Sequence, residues 1–345
     1  MKKTLIIILI STFPVMVDAQ FEKYIEITGK VFFEENNNVL LNPELSWAYD
    51  ITSDNRIIDT NLKGHNVTIY NNTGKVINRF GQRGRGPGDF EFPIMSFVLE
   101  DGTILVSEFS GKLSRFSNNG DSLISVYQTG IVPLSGILEI GSNKILVIGN
   151  QIKPKPTKAL FHIYNLSTKE IESSFFELPF EHSDYAQVFR MSVHLAIGAT
   201  YNNKIFVATV PFKKLYAFSK DGMLIDSLNI DLENFVEIEE NKNSLSSHDL
   251  FSYTTTFSRI EKLFFLKDGS FLVQYSRITE IDVNNPEDRT IEYNLAYFDD
   301  DRKLIFDINN NPELLGVDKA STTLYFRGIN EDPLYLMKGK INKNN

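Results

Sequence analysis

Through most of the chain, apolar residues come in short alternating runs bounded by Asn, Asp and Gly, and no stretch after the first twenty residues holds a helical period. Six segments share one form, a turn residue followed by an apolar strand. They are residues 55–59 (NRIID), 102–106 (GTILV), 143–147 (NKILV), 203–207 (NKIFV), 269–273 (GSFLV) and 322–326 (TTLYF). Behind five of them comes a second unit, a strand ending in Tyr or Phe, a polar turn and another strand. The copies are VTIYNNTGKVI from Val67, KLSRFSNNGDSLI from Lys112, FHIYNLSTKEI from Phe161, KLYAFSKDGMLI from Lys214 and LAYFDDDRKLI from Leu295. Asn, Asp and Gly fill such turns because they accept the positive φ that hairpins need.

Self-similarity at about 40–50 residues with four strands per unit is the mark of a propeller blade. An unrelated series of hairpins in a sandwich would not repeat in six ordered copies. The predicted fold is all-β, a six-bladed β-propeller of four-stranded antiparallel blades. Its sixth blade lacks an outer strand, because residues 333–341 (PLYLMKGKI) supply a third strand and the sequence then ends. Residues 24–33 (YIEITGKVFF) form a strand with no blade of its own. Pairing the two closes the ring with an N-terminal strand and removes two exposed sheet edges together. The tetrapeptide Asn-Pro-Glu-Leu, at 42–45 and again at 311–314, supports the repeat by preceding a blade's first strand in both places.

Between the first two blades lies RFGQRGRGPGDFEFP, residues 79–93. Gly86-Pro87-Gly88-Asp89 suits a type II turn, with Pro87 presetting φ and Gly88 taking the positive φ that follows. Gly81, Gly84, Gly86, Pro87, Gly88, Asp89 and Phe90 match the pattern G-x-x-G-x-G-P-G-[DE]-[FY]. In this the segment resembles the six-bladed β-propeller family related to NHL and TolB-like repeats, a resemblance that implies the same fold for the whole mature chain. The loop also carries Arg83 and Arg85. Two guanidinium forks beside backbone N–H groups are suited to holding an anion. The competing reading is a plain interblade link with an arginine paired to Asp89 or Glu91.

The first nineteen residues read as a secretory signal peptide: Lys2 and Lys3, an apolar stretch from Thr4 to Val17 shorter than a membrane span and broken by Pro14, and cleavage between Ala19 and Gln20. Residues 20–345 are then a single propeller domain, periplasmic or secreted, with no stable membrane insertion. There is no cysteine, so neither disulfides nor thiolate metal sites arise. The chain carries 44 acids against 35 bases, net −9, and net −10 once the signal is removed. That balance argues against nucleic acid as a partner.

Catalytic signatures are absent: no G-x-S-x-G, no H-E-x-x-H, no phosphate-binding loop, and five histidines without ligand spacing. No cofactor is called for; a channel Ca²⁺ held by scattered oxygens has no motif behind it but is left open. Two long connections, at residues 176–191 and 230–258, lead like the glycine loop from an outer strand to the next inner strand, which places them on one face of the ring. Arg83, Arg85, Tyr185, Arg190, Tyr253 and Arg259 are therefore the candidate ligand-binding residues, Arg and Tyr being enriched where surfaces bind. The acidic run at 231–240 reads as a solvated face. The reading that follows is an exported, non-catalytic binding module for a glycan, peptide or protein. Its alternatives are a lactonase-like metal-dependent hydrolase or lyase with a site in the channel, and a scaffold in an envelope assembly.

Overall fold

The computed structural model describes residues 19–33, 49–177, 196–210, 212–237, 255–282, 285–318, 322–328 and 335–342. Residues 1–18, which carry the predicted signal, lie outside them. A short helix α1 (Ala19–Tyr24) leads into β1 (Ile25–Phe32). Blade 1 comprises β2 (Tyr49–Ile51), β3 (Ile57–Asn61), β4 (Asn66–Tyr70) and β5 (Val76–Phe80); blade 2 comprises β6 (Pro93–Val98), β7 (Ile104–Glu108), β8 (Lys112–Phe116) and β9 (Leu123–Gln128). Blade 3 holds β10 (Ile131–Gly141), β11 (Lys144–Gln151), β12 (Phe161–Asn165) and β13 (Glu170–Phe175). Blade 4 holds β14 (Ala196–Tyr201), β15 (Lys204–Thr209), β16 (Lys214–Ser219) and β17 (Leu224–Asn229). Blade 5 follows with β18 (Ser258–Phe265), β19 (Phe271–Asp282), β20 (Asn285–Phe298) and β21 (Leu304–Ile308). In blade 6 the order from the axis outward is β22 (Leu314–Val317), β23 (Leu324–Arg327), β24 (Tyr335–Ile341) and then β1.

Each blade is an antiparallel four-stranded sheet whose first strand touches its neighbours' first strands around the axis. The repeated turn residue has a physical cause. Asn55, Gly102, Asn143, Asn203 and Gly269, which open the apolar motif in blades 1 to 5, hold φ of 61°, 83°, 60°, 61° and 93°. Only Gly and, at some cost, Asn occupy that region readily.

Among the described residues the core is not one mass but six clusters, one in each seam between blades. Val106, Val98 and Phe116 meet Ile58 and Phe80 across the first seam, and Leu272 and Tyr297 meet Leu314 and Phe326 across the fifth. The acidic run is more than a solvated face, since Leu232 and Phe235 are buried in the seam between blades 4 and 5.

The ring closes as the sequence predicts. β1 pairs antiparallel with β24 from Ile25↔Ile341 to Phe32↔Tyr335, with a bulge between Ile27 and Gly29. Ile25 and Val31 are buried, while the bulge breaks the alternation and leaves Ile27 and Phe32 exposed on the rim. Just before the strand, Phe21 is fully buried edge-on against Phe326.

Deleting residues 20–34 removes Phe21, Ile25, Val31 and Phe33 from two seams. At roughly 1.5–3 kcal/mol for each buried side chain, the loss rivals the whole stability of an ordinary domain, about 5–15 kcal/mol. The expected outcome is aggregation or loss of the cooperative melt. A truncated protein that melts like the full chain overturns the assignment of β1.

Candidate functional site

The glycine-rich loop is built as a clasp between blades 1 and 2. The N–H of Asp89 donates to the Gly86 carbonyl at 3.1 Å and Gly88 holds φ 84°, which is the type II turn. Gly81 has φ 83°, and a Cβ there would lie 2.2 Å from the Phe90 ring. Phe90 is fully buried, its ring packed edge-on against Phe80 and Phe116. The Asp89 carboxylate covers Gly84 and Gly86, where a Cβ would fall 2.5 and 2.7 Å from Oδ2. Blade 2 grips the far end of the loop. Glu108 Oε1 accepts from the N–H groups of Glu91 (2.6 Å) and Phe92 (3.3 Å). Lys112 donates to the Asp89 carbonyl at 2.8 Å and pairs with Glu108 at 2.6 Å. Gly81, Gly84, Gly86, Asp89 and Phe90 thus serve the packing of the loop between the two blades. Arg83 and Arg85 are exposed beside it, and Arg85 pairs with Glu91 at 2.7 Å.

Of the other candidates, Tyr185, Arg190 and Tyr253 lie outside the described residues. Arg259 stands on β18, the innermost strand of blade 5, half-buried rather than on a loop tip. Because the outer-to-inner connections all leave one face of the ring, Arg259 near the start of β18 shares that face with Arg83 and Arg85. Arg259 sits in a charged cluster spanning the seam between blades 5 and 6. Burial lowers its pKa, Arg289 lowers it further, and Glu261 opposes both. Lys262 is pulled down to about 8 by burial, against the opposing charge of Glu313; its ammonium donates to the Leu315 carbonyl of blade 6 at 3.2 Å. Arg327 Nε pairs with Glu313 Oε2 at 2.7 Å, and Ser276 donates to Glu261 Oε1 at 2.5 Å. Tyr293 lies within the field of Glu313, Glu261, Arg327 and Arg289, and burial, reinforced by the two glutamates, raises its hydroxyl above the ordinary range. Arg259, Lys262, Arg289 and Arg327 share this region with Glu261 and Glu313. The visible signal was the run Arg259-Ile260-Glu261-Lys262 in an innermost strand, a position that is apolar or small in β6, β14 and β22.

A second polar group sits in the seam between blades 6 and 1. Asp59 occupies the position held by Val106, Val147, Val207 and Val273 in blades 2 to 5, as the strand registers show. It is fully buried, and neither carboxylate oxygen has a hydrogen-bond partner among the described residues. Desolvation lifts its pKa from 3.8 to about 7, with Arg79 pulling the other way. Arg79 itself donates to Thr68, its cross-strand neighbour, at 3.2 Å.

Among the described residues, no three His, Asp or Glu side chains gather in a way that would hold a metal ion. Nor is any helix there long and apolar enough to cross a membrane.

No family model and no curated protein matches this sequence. Solved structures do. A member of the DUF4221 family from Bacteroides vulgatus superposes with a TM-score of 0.69 at 12% identity, over 92% of this chain and 99% of that one. A candidate exported protein from Bacteroides fragilis superposes with a TM-score of 0.63 at 13% identity, over 92% and 96% of the two chains. These likenesses extend over nearly the whole of each chain and speak for the fold.

Two predictions follow from the clasp and from Asp59. Gly88→Ala, strained only through φ, is expected to cost about 1 kcal/mol or slightly more. Gly81→Ala adds a collision with Phe90 and is expected to cost roughly 2–5 kcal/mol, while Gln82→Ala stays near neutral. Equal denaturation midpoints for the three variants contradict the turn and the Phe90 contact. For Asp59 the folded state holds the proton more tightly than the unfolded chain, so its contribution to stability is lost as pH rises from about 4 to about 7. Asp59→Asn removes that loss. Relative to wild type, the variant should gain stability across this window by up to about 1.4 kcal/mol per pH unit and stay level above it. Parallel stability curves for the two proteins from pH 4 to 8 refute the buried titration.

Proposed function

We propose that this chain is an exported, non-catalytic propeller that binds an anionic ligand, an acidic glycan or another carboxylate, at the face where the outer-to-inner connections open. The observation that carries this reading is the cluster of Arg259, Lys262, Arg289 and Arg327 against Glu261 and Glu313 on a chain of net −9. Partial burial weakens water's screening of those charges, which strengthens the pull of each guanidinium and ammonium group on an incoming anion. Arg83 and Arg85 belong to the same face and extend it outward. The resemblance of residues 81–90 to NHL and TolB-like propellers agrees with a binding ring of this kind. Export rests on the signal-like N-terminus and on the candidate exported protein of B. fragilis as a structural neighbour. Cleavage between Ala19 and Gln20 leaves Phe21 in the mature chain, where the seam between blades 5 and 6 needs it.

The test is a screen of acidic glycans and small carboxylates on wild type, the Arg83→Ala/Arg85→Ala protein and the Arg259→Gln/Arg289→Gln protein. A ligand is expected whose affinity falls at least tenfold in the second variant, less in the first, and declines with added salt. A ligand held equally by all three, or an affinity indifferent to salt, contradicts the reading.

A further inference from the structure

A pocket of about 550 Å³ opens on the rim of the ring between blades 2 and 3, away from the charged cluster. Blade 2 contributes Gln128 and Thr129; blade 3 contributes Gln151, Tyr164, Ser173 and Ser174. Its size falls within the range of small-molecule sites, about 300–1,000 Å³. The walls are held by backbone contacts, since the Gly130 carbonyl accepts from the N–H groups of both Ile152 (2.8 Å) and Lys153 (3.1 Å).

The hydrogen bonds behind the walls determine what the pocket offers. His162, fully buried, has Nε2 3.1 Å from the Gly149 carbonyl and Nδ1 2.8 Å from Ser174 Oγ. A carbonyl only accepts, so Nε2 carries the ring proton. Burial lowers the pKa of His162 and keeps the ring neutral. Nδ1 must then accept, and the Ser174 hydroxyl donates to it at 2.8 Å, with the Gln151 oxygen a second, more distant acceptor at 3.4 Å. What Ser174 presents outward is its lone pairs. Gln151 donates its amide to the Lys153 carbonyl at 3.1 Å, which leaves its oxygen on the side of Ser174. Tyr164, bordering the same pocket, has a buried hydroxyl with no hydrogen-bond partner among the described residues. Ile171 and Pro154 add apolar surface.

Such a site asks for a ligand rich in hydroxyl donors that also has an apolar side. An anion is disfavoured because the acceptors of Ser174 and Gln151 would face it and the carboxylates of Glu170 and Glu172 stand in the wall. A cation finds less charge than the two glutamates suggest. Glu172 is already engaged by Lys144 at 2.6 Å and by Asn165 at 2.7 Å, and Lys169 adds a positive group. We infer that the rim pocket between blades 2 and 3 is a binding site for a neutral saccharide of one or two units, distinct from the anionic site at the ring face. The polar lining of Ser174, Gln151 and Gln128 would engage its hydroxyls, and Ile171 and Pro154 its C–H face.

The experiment is saturation-transfer NMR with calorimetry on the purified protein. The probes are glucose, galactose, N-acetylglucosamine, maltose and cellobiose, with spermidine and glucuronate as charged comparisons. At least one neutral sugar is expected to bind. Its affinity should fall fivefold or more in both Ser174→Ala and Gln128→Ala and hold in Arg259→Gln/Arg289→Gln. Gln128 is exposed and outside the His162 network, so its variant decides the matter if Ser174→Ala folds poorly. Absence of binding by all five sugars, equal affinity in Gln128→Ala and wild type, or preference for either charged probe overturns the inference. Loss of anion binding at the ring face leaves it untouched, so the two sites fail separately.

Discussion

A four-stranded blade has two apolar faces, and only its neighbours can cover them. That single constraint forces the sheets into a ring and forbids the ring from staying open, because an open ring leaves two faces and an edge in water. Closure here rests on one pairing, β1 with β24. The N-terminal segment serves two seams at once. Phe21 and Ile25 belong to the cluster between blades 5 and 6, and Val31 and Phe33 to the cluster between blades 6 and 1. The two seams next to the closing blade therefore depend on the same fourteen or so residues at the start of the described chain, whereas each remaining seam draws on adjacent stretches of sequence.

The seams also explain which polar groups matter. Where a valine is the rule, Asp59 sits in the closing seam with its carboxylate unpaired, and the polar cluster around Tyr293 lies in the seam on the other side of blade 6. Both groups flank the blade shared by the chain's two ends. Buried ionisable groups are costly unless compensated, and their placement beside blade 6 makes that part of the ring responsive to charge. The glycine loop carries the most conspicuous motif in the sequence, yet it works mechanically. Gly81 receives Phe90, Asp89 lies over Gly84 and Gly86, and Glu108 with Lys112 hold the end.

Nearly all of the architecture was legible in the sequence, because a repeated strand motif is a local pattern and its copies agree. The apolar pentapeptides from Asn55 to Phe326 each became a blade's second strand, and the orphan strand at 24–33 found its partner by counting edges. The candidate site was less legible. Arg85 could be placed beside Glu91 because both lie in one loop, but Arg259 comes within the field of Arg289 and Tyr293 only through strand pairing inside blade 5, and Lys262 reaches Glu313 only across the seam to blade 6. Asp59 was visible in principle as the one acidic residue in a column of valines and a phenylalanine; its burial and lack of a partner were not. The pairing of His162 with Ser174 crosses two strands of an antiparallel sheet, and their register follows from a bulge after Ile163 that sequence spacing does not reveal.

The closing pair also imposes an order in time. Ile25 meets Ile341, so the first strand waits for the last, and no blade-6 sheet exists until nearly the whole chain is present. Contacts of such long sequence separation form late, because the entropy of closing the loop must be met before they contribute. Blades 1 to 5 are complete in sequence before the ring is complete in space, and the final latch is set only when β24 emerges beside β1. Closure of the ring is therefore the last step in its assembly.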